Sequence, residues 1–328
     1  MSTPDADAVA VAAERLAGLV VRTPLVEAEP MAARTGSRVV IKAEHRQATG
    51  SFKLRGATNI VQALASDELA TGVITASSGN HGIGTATAAA RRDVPCTVYL
   101  PRGAARPKRD AIARLGATVV TVDDPDAAAA EREARAEAER RGRRYVSPYN
   151  DPLIVAGQGT IGVELVEDWS GAPPDAVVVA VGGGGLISGI GTWLQANWPD
   201  TDLIGASPAN DDAMAASVAA GSIIEVEATP TFSDGTAGAV EPGAMTFELC
   251  RRLVDRWESA TEVEIATAVR SMVDDHHELV EGSAGVALAV AERFAGDHPG
   301  STVAVVSCGA NVASSRLAEM LAVAGPSS

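Results

Sequence analysis

Apolar positions in this chain fall into short runs rich in β-branched residues, at 39–43, 72–76, 96–100, 118–122, 176–181, 202–206 and 302–306. Several are continuous rather than alternating, as strands buried on both faces must be. Between them lie alanine-rich stretches. In 127–141, acids and arginines recur at three- and four-residue spacings and Gly142 follows, which predicts a solvated helix rather than a binding patch. Strands alternating with helices predict an α/β fold on mostly parallel sheets: two open twisted sheets flanked by helices. Residues 72–149 hold three strand-helix units of their own, with no long linker and no repeat. The expected division is therefore a small domain, 72–149, and a large one, 1–71 plus 150–328.

Composition narrows the partners. The chain has 328 residues, 46% of them hydrophobic, enough for two closely coupled lobes. A net charge of −15 argues against nucleic acid or an anionic membrane, because phosphate surfaces demand clustered cations. Any anionic ligand must be held locally, by backbone amides or single cations. Of the 27 basic residues only Lys42, Lys53 and Lys108 are lysine, so lysine chemistry has few possible seats. Cys96, Cys250 and Cys308 are too scattered for a disulfide framework or a CxxC site. The start, MSTPDADAVA, is acidic where a secretory signal is basic, and no apolar run approaches the ~18 residues of a membrane span. A cytoplasmic protein is expected.

Four segments carry candidate chemistry. In 49–64, TGSFKLRGATNIVQAL, Ser51 is the expected N-cap, and Phe52, Leu54, Ala57, Ile60, Val61 and Leu64 form a helical apolar set. Lys53 then sits in the first turn, where the positive end of the helix dipole favours a neutral, nucleophilic amine. Taken alone, such a lysine is most often a solvated surface residue. In GVITASSGNHGIG a strand runs into the turn 77–82, whose outward amides suit an anion such as a substrate carboxylate. In AVVVAVGGGGLISG a buried strand enters Gly182, Gly183, Gly184 and Gly185; four glycines in a row point to close backbone approach to a phosphate. Neither GxGxxG nor a Walker loop fits, since Ile187 or Ser188 takes the place of the last glycine and no lysine follows. The fourth, STVAVVSCGAN, ends a strand in a turn holding Cys308.

The segments SFKLRGA, SSGNHG, AGQGTIG, GGGGL and SCGAN stand in the order and spacing of the pyridoxal-phosphate (PLP)-dependent fold type II enzymes, in the branch of serine and threonine dehydratases and serine racemase. The resemblance runs from Arg22 to Asn311, nearly the whole chain. It implies that Lys53 bears PLP and acts as the catalytic base, that Phe52 packs on the cofactor ring, and that Asn80 bonds its phenolic oxygen. Gly182 to Gly185 would hold the phosphate. Ser77, Ser78, Gly79, Asn80 and His81 would border the substrate carboxylate, with Ser78 a second acid or base on the opposite face of the cofactor. Glu281 and Gly235 would lie beside the ring, and Cys308 beside its nitrogen. The implied reaction is elimination of water from a small hydroxy-amino acid such as L-threonine or L-serine, followed by hydrolysis of the enamine to a 2-oxo acid and ammonia, in a homodimer.

Departures from the family pattern qualify this. Ser207 and Ala213 stand where the racemase branch places an acidic pair for a divalent cation, so no metal is expected. The segment 238–243, GAVEPG, fits no pattern in the family. Few residues follow SCGAN, so no isoleucine feedback domain is expected. Ser78 keeps a racemase open, and a hydroxyaspartate-type dehydratase is a further alternative. Outside enzymes, the alternative is a PLP-binding amino-acid sensor. His276 and His277, beside Asp274 and Asp275, read as a solvated acidic helix, because neighbouring helical side chains diverge by about 100°.

Overall fold

A computed structural model describes residues 3–324. Among these residues ten strands form two sheets. They are β1 (Leu25–Glu27), β2 (Arg38–Lys42), β3 (Val73–Ala76), β4 (Cys96–Pro101), β5 (Thr118–Val122), β6 (Arg144–Tyr145), β7 (Ala176–Ala180), β8 (Asp202–Pro208), β9 (Arg256–Ala260) and β10 (Thr302–Val306). The larger sheet has the order β1-β2-β10-β7-β8-β9, with β1 antiparallel to β2 and the remaining pairs parallel. The smaller, β5-β4-β3-β6, is parallel throughout. Helices cover both sheets, giving the α/β architecture expected from the alternating runs.

All seven predicted strands are present within two residues at each end. The other three were not legible for distinct reasons. β1 and β6 have three and two residues, too few for a pattern. β9, RWESA, is a half-exposed edge strand whose charges blunt the open edge.

Among the described residues four apolar clusters organise the packing, the smallest joining Val9 and Ala12 to Ala156 and Val163. The largest joins β2, β7, β8 and β10 to the helices Gly185–Asn197 and Gly282–Asp297. A second fills one face of the small sheet, where Val73, Val98 and Leu100 meet Ala86 and Ala89, and also Ala57, Ile60 and Val61 of the helix that carries Lys53. On the opposite face Ala130, Ala134 and Ala138, at four-residue spacing along the helix Ala127–Arg141, cover Ile74 and Tyr99. That helix ends at Gly142 in the left-handed region, as expected.

The helix Pro152–Asp168, which contains AGQGTIG, fixes the distance between the two halves of the site. A methyl group on Gly157 would lie 2.7 Å from Gly56 Cα, and one on Gly189 would lie 2.2 Å from Val155 O. This helix therefore meets the Lys53 helix on one side and the glycine-turn helix on the other at backbone contact, which only glycine allows.

Candidate active site

Lys53 opens the helix Lys53–Ala63. Ser51 is not its cap: Phe52 takes that position with no side-chain bond, and the Ser51 hydroxyl is buried without a partner. Backbone pairing does the work instead. Phe52 N donates to Cys308 O at 3.1 Å, Ala310 N donates to Gly50 O at 2.8 Å, and Ser51 bridges Gly309. The two turns SFK and SCGAN thus hold each other, 255 positions apart in sequence between Lys53 and Cys308.

The Lys53 amine donates to Pro148 O at 2.9 Å and lies 5.2 Å from the Phe52 ring centroid. Burial lowers its pKa from 10.5 to about 8, against a weaker opposing pull from Cys308 and Glu281. Cys308 is buried, and burial raises its thiol well above the usual value, so it is neutral.

Glu281 lies close by. Its carboxylate accepts from Asn80 Nδ2 at 2.9 and 3.0 Å and from Asn311 N at 3.1 Å. With only amides as partners, burial carries its pKa from 4.5 to about 7. Asn311 Nδ2 donates to Asn80 Oδ1 at 2.7 Å, which sets the orientation of the Asn80 amide. Gly235 completes this side: its N–H donates to Ser283 Oγ at 2.9 Å, and a methyl group there would lie 3.5 Å from Glu281 Oε1.

The turn 77–82 leads from β3 into the helix Asn80–Ala90. Ser77 Oγ accepts from Gly79 N at 3.2 Å, and Ser77, Ser78 and Gly79 are half-buried. His81 is buried, with Nε2 3.0 Å from Val146 O, and burial together with Lys53 lowers its pKa to about 3. A neutral ring donating to Val146 presents only its other nitrogen, an acceptor. The donors for an anion at this turn are therefore the free first-turn amides rather than His81.

The glycine turn precedes the helix Gly185–Asn197, with Gly184 in the left-handed region at φ +82°. Its walls are tight. Methyl groups would lie 2.6 Å from Thr236 O at Gly182, 2.4 Å from the Tyr149 ring at Gly183 and 2.7 Å from Cys250 Sγ at Gly184. Tyr149 and Pro148 were missed by sequence reasoning; the only signal was SPYND, a turn-rich link ahead of a helix.

Ser207 Oγ donates to Val181 O at 3.5 Å, and the Asp211 carboxylate accepts from Gly238 N. Among the described residues no cluster of three or more His, Cys, Asp or Glu side chains is placed to hold a metal.

These residues fit PLP on their own chemistry. A lysine with a lowered pKa and only a carbonyl for a partner suits condensation with an aldehyde, and helix-start amides bared by glycine suit a phosphate. The comparisons agree. Residues 16–309 match the family described as pyridoxal-phosphate dependent enzyme. An L-threonine ammonia-lyase of Thermotoga maritima is 38% identical over 297 residues, covering 90% of this chain and 73% of that protein. The solved processed form of threonine deaminase isoform 2 from Solanum lycopersicum superposes with a TM-score of 0.91 at 32% identity, covering 99% of this chain and 95% of the other. The structure of maize serine racemase gives 0.89 at 30% identity, with 98% of both chains covered. The chain belongs to the fold type II family of pyridoxal-phosphate-dependent enzymes.

Proposed function

We propose that this protein is an ammonia-lyase that dehydrates a small β-hydroxy-amino acid, of the size of L-threonine or L-serine, to a 2-oxo acid and ammonia. The observation that carries the proposal is the Lys53 amine, brought to about 8 by burial and held by the neutral Pro148 carbonyl. When bound, PLP supplies an aldehyde for amines and a ring that withdraws electrons from the α-carbon.

The residues divide the remaining work. Lys53 takes the α-proton, which an amine with a pKa lowered to about 8, and so about half neutral at that pH, does well. The amides of Gly182 to Gly185 hold phosphate, and those of the turn 77–81 hold the substrate carboxylate. Asn80 and Phe52 fix the ring, with Glu281 and Gly235 at its edge. Cys308, a neutral thiol, offers the ring nitrogen no carboxylate to keep it protonated, which favours elimination over transamination. Ser77, Ser78, Asn80 and neutral His81 put no cation at the turn, which favours a monocarboxylate over hydroxyaspartate. We take the protein to be a cytoplasmic homodimer that needs no divalent cation; its buried free cysteines accord with a reducing compartment.

A second reading, racemisation, rests on Ser78, half-buried in the turn, which the family resemblance assigns to the opposite face of the cofactor. One panel separates the readings. Stereoisomers of serine, threonine and hydroxyaspartate are assayed for 2-oxo acid and for inverted amino acid, with and without magnesium. We expect 2-oxo acid from L-threonine or L-serine as the main product, independent of magnesium. Inverted serine exceeding pyruvate would favour the racemase, and turnover of hydroxyaspartate alone would overturn the monocarboxylate assignment.

A further inference from the structure

The segment 238–243, which fits no family pattern, is a strap between the two sheets. Val240 is buried in the large core, and Gly238 N donates to the carboxylate of Asp211, just beyond β8, at 2.8 Å. Its other end faces the small sheet. Glu241 pairs with Arg135 at 2.9 Å, and Arg135 lies on the helix Ala127–Arg141, 4.4 Å over the Tyr145 ring of β6. Glu241 N donates to Tyr149 Oη at 2.8 Å.

Tyr149 is the residue where these contacts meet the site. It lies four residues beyond β6, directly after Pro148, whose carbonyl receives the Lys53 amine. Its ring occupies the space beside Gly183, where a methyl group would come within 2.4 Å, and its Cβ lies 2.9 Å from where a methyl on Gly185 would be. Its neighbour Asn150 accepts from Met245 N at 2.9 Å, just past the strap. The other walls of the glycine turn, Thr236 and Cys250, come from the large-sheet side. Tyr149 is the wall that arrives from the small sheet.

We propose that Tyr149 is a positioning residue with two separable parts. Its ring backs the glycine turn and keeps the amides of Gly183 and Gly185 in place for phosphate. Its hydroxyl, with Arg135, fixes the strap at Glu241 and so sets the wall of the site next to Thr236. This rests on the functional reading above, in which the glycine turn holds the cofactor phosphate. A ring in contact with a binding backbone acts through geometry, and small displacements of such a backbone are costly. A single neutral hydrogen bond is worth less.

The test uses purified holoprotein of the parent, Tyr149→Phe, Tyr149→Ala and Arg135→Gln. Cofactor release is followed by decay of the bound-cofactor absorbance during dialysis, alongside KM, kcat and thermal melting. Tyr149→Ala is expected to release cofactor roughly tenfold to a hundredfold faster. Tyr149→Phe, which restores the ring, is expected to release it at close to the parent rate while KM rises about fivefold, the size of one lost hydrogen bond. Arg135→Gln is expected to reproduce the KM change of Tyr149→Phe. A Tyr149→Ala protein that melts lower yet keeps the parent release rate would reduce the ring to a space-filling role and overturn the proposal. Release from Tyr149→Phe as fast as from Tyr149→Ala would also overturn it. A parent chain that takes up no cofactor would instead sink the functional reading.

Discussion

Two buried lysines, one ending a strand of the large sheet and one opening a helix, show how one residue type is put to different uses. Lys42, at the end of β2, is fully buried and bonds Glu164 at 2.6 Å and Thr23 O at 2.6 Å. It belongs to a buried ionic cluster in which Arg55 forks onto Glu44 at 2.7 and 2.9 Å and onto Glu164 at 2.6 and 2.8 Å. Lys53, eleven positions later, meets only a carbonyl. Burial lowers both pKa values, and at Lys42 the carboxylates of Glu164 and Glu44 oppose it without reversing it. The carboxylates repeat the contrast. Burial pushes Glu44 up, yet Arg55, joined by Lys42 and a hydrogen bond from Thr23, outweighs it and holds the group below its usual value, whereas Glu281, among amides, rises to about 7. Burial supplies the pressure on a charge, and the partner decides whether the group keeps it.

The comparison breaks first at Lys53. Lys53→Ala should lower 2-oxo acid release by about 10⁴-fold or more and abolish the absorbance of covalently attached cofactor; persistence of that band would end the assignment. Next is Arg55→Met, which takes away the cation paired with buried Glu44 and leaves Glu164 to Lys42. It should cost about 3–5 kcal/mol in denaturant unfolding, and a loss below about 1 kcal/mol would mean that the cluster is not the dry network described.

Glu281 offers a pH test in the cofactor-free protein. Its folded pKa is above its unfolded value of 4.5, so the folded state holds a proton that the unfolded state releases. The stabilisation is complete below pH 4.5 and is lost as pH rises to about 7, on the order of 3 kcal/mol in all. Glu281→Gln should remove that slope from the stability profile; an unchanged slope would place the titration elsewhere. The smallest effect is expected at Arg22, which pairs with Glu167 at 2.8 Å and Asp168 at 2.6 Å but in solvent. Arg22→Gln should cost about 0.2–1 kcal/mol by the same denaturation, against the larger loss at Arg55 with a similar set of partners.

Much of the fold was legible because buried parallel strands leave continuous apolar runs, and because Gly142 and the glycine turn mark chain reversals that few other residues permit. The weak points were local patterns settled by distant backbone. Ser51 read as a cap from its neighbours, but the helix starts one residue later, and backbone pairing of Phe52 and Gly50 with the turn at Cys308 holds its entry without a side-chain cap. AGQGTIG was recognisable as a motif, while its reason, two helix crossings at backbone contact, exists only in three dimensions. Tyr149 carried no signal beyond the turn-rich SPYND, because a tyrosine in a turn looks the same whether it faces solvent or backs a glycine turn.

By itself the sequence determined the α/β alternation, the five motifs and the short roster of lysines available for imine chemistry. Tertiary structure decided which lysine keeps a carboxylate partner. Glu164 reaches Lys42 across 122 positions, and Pro148 reaches Lys53 across 95. A pKa answers to charges and dielectric through space, and those are assembled only when the chain folds.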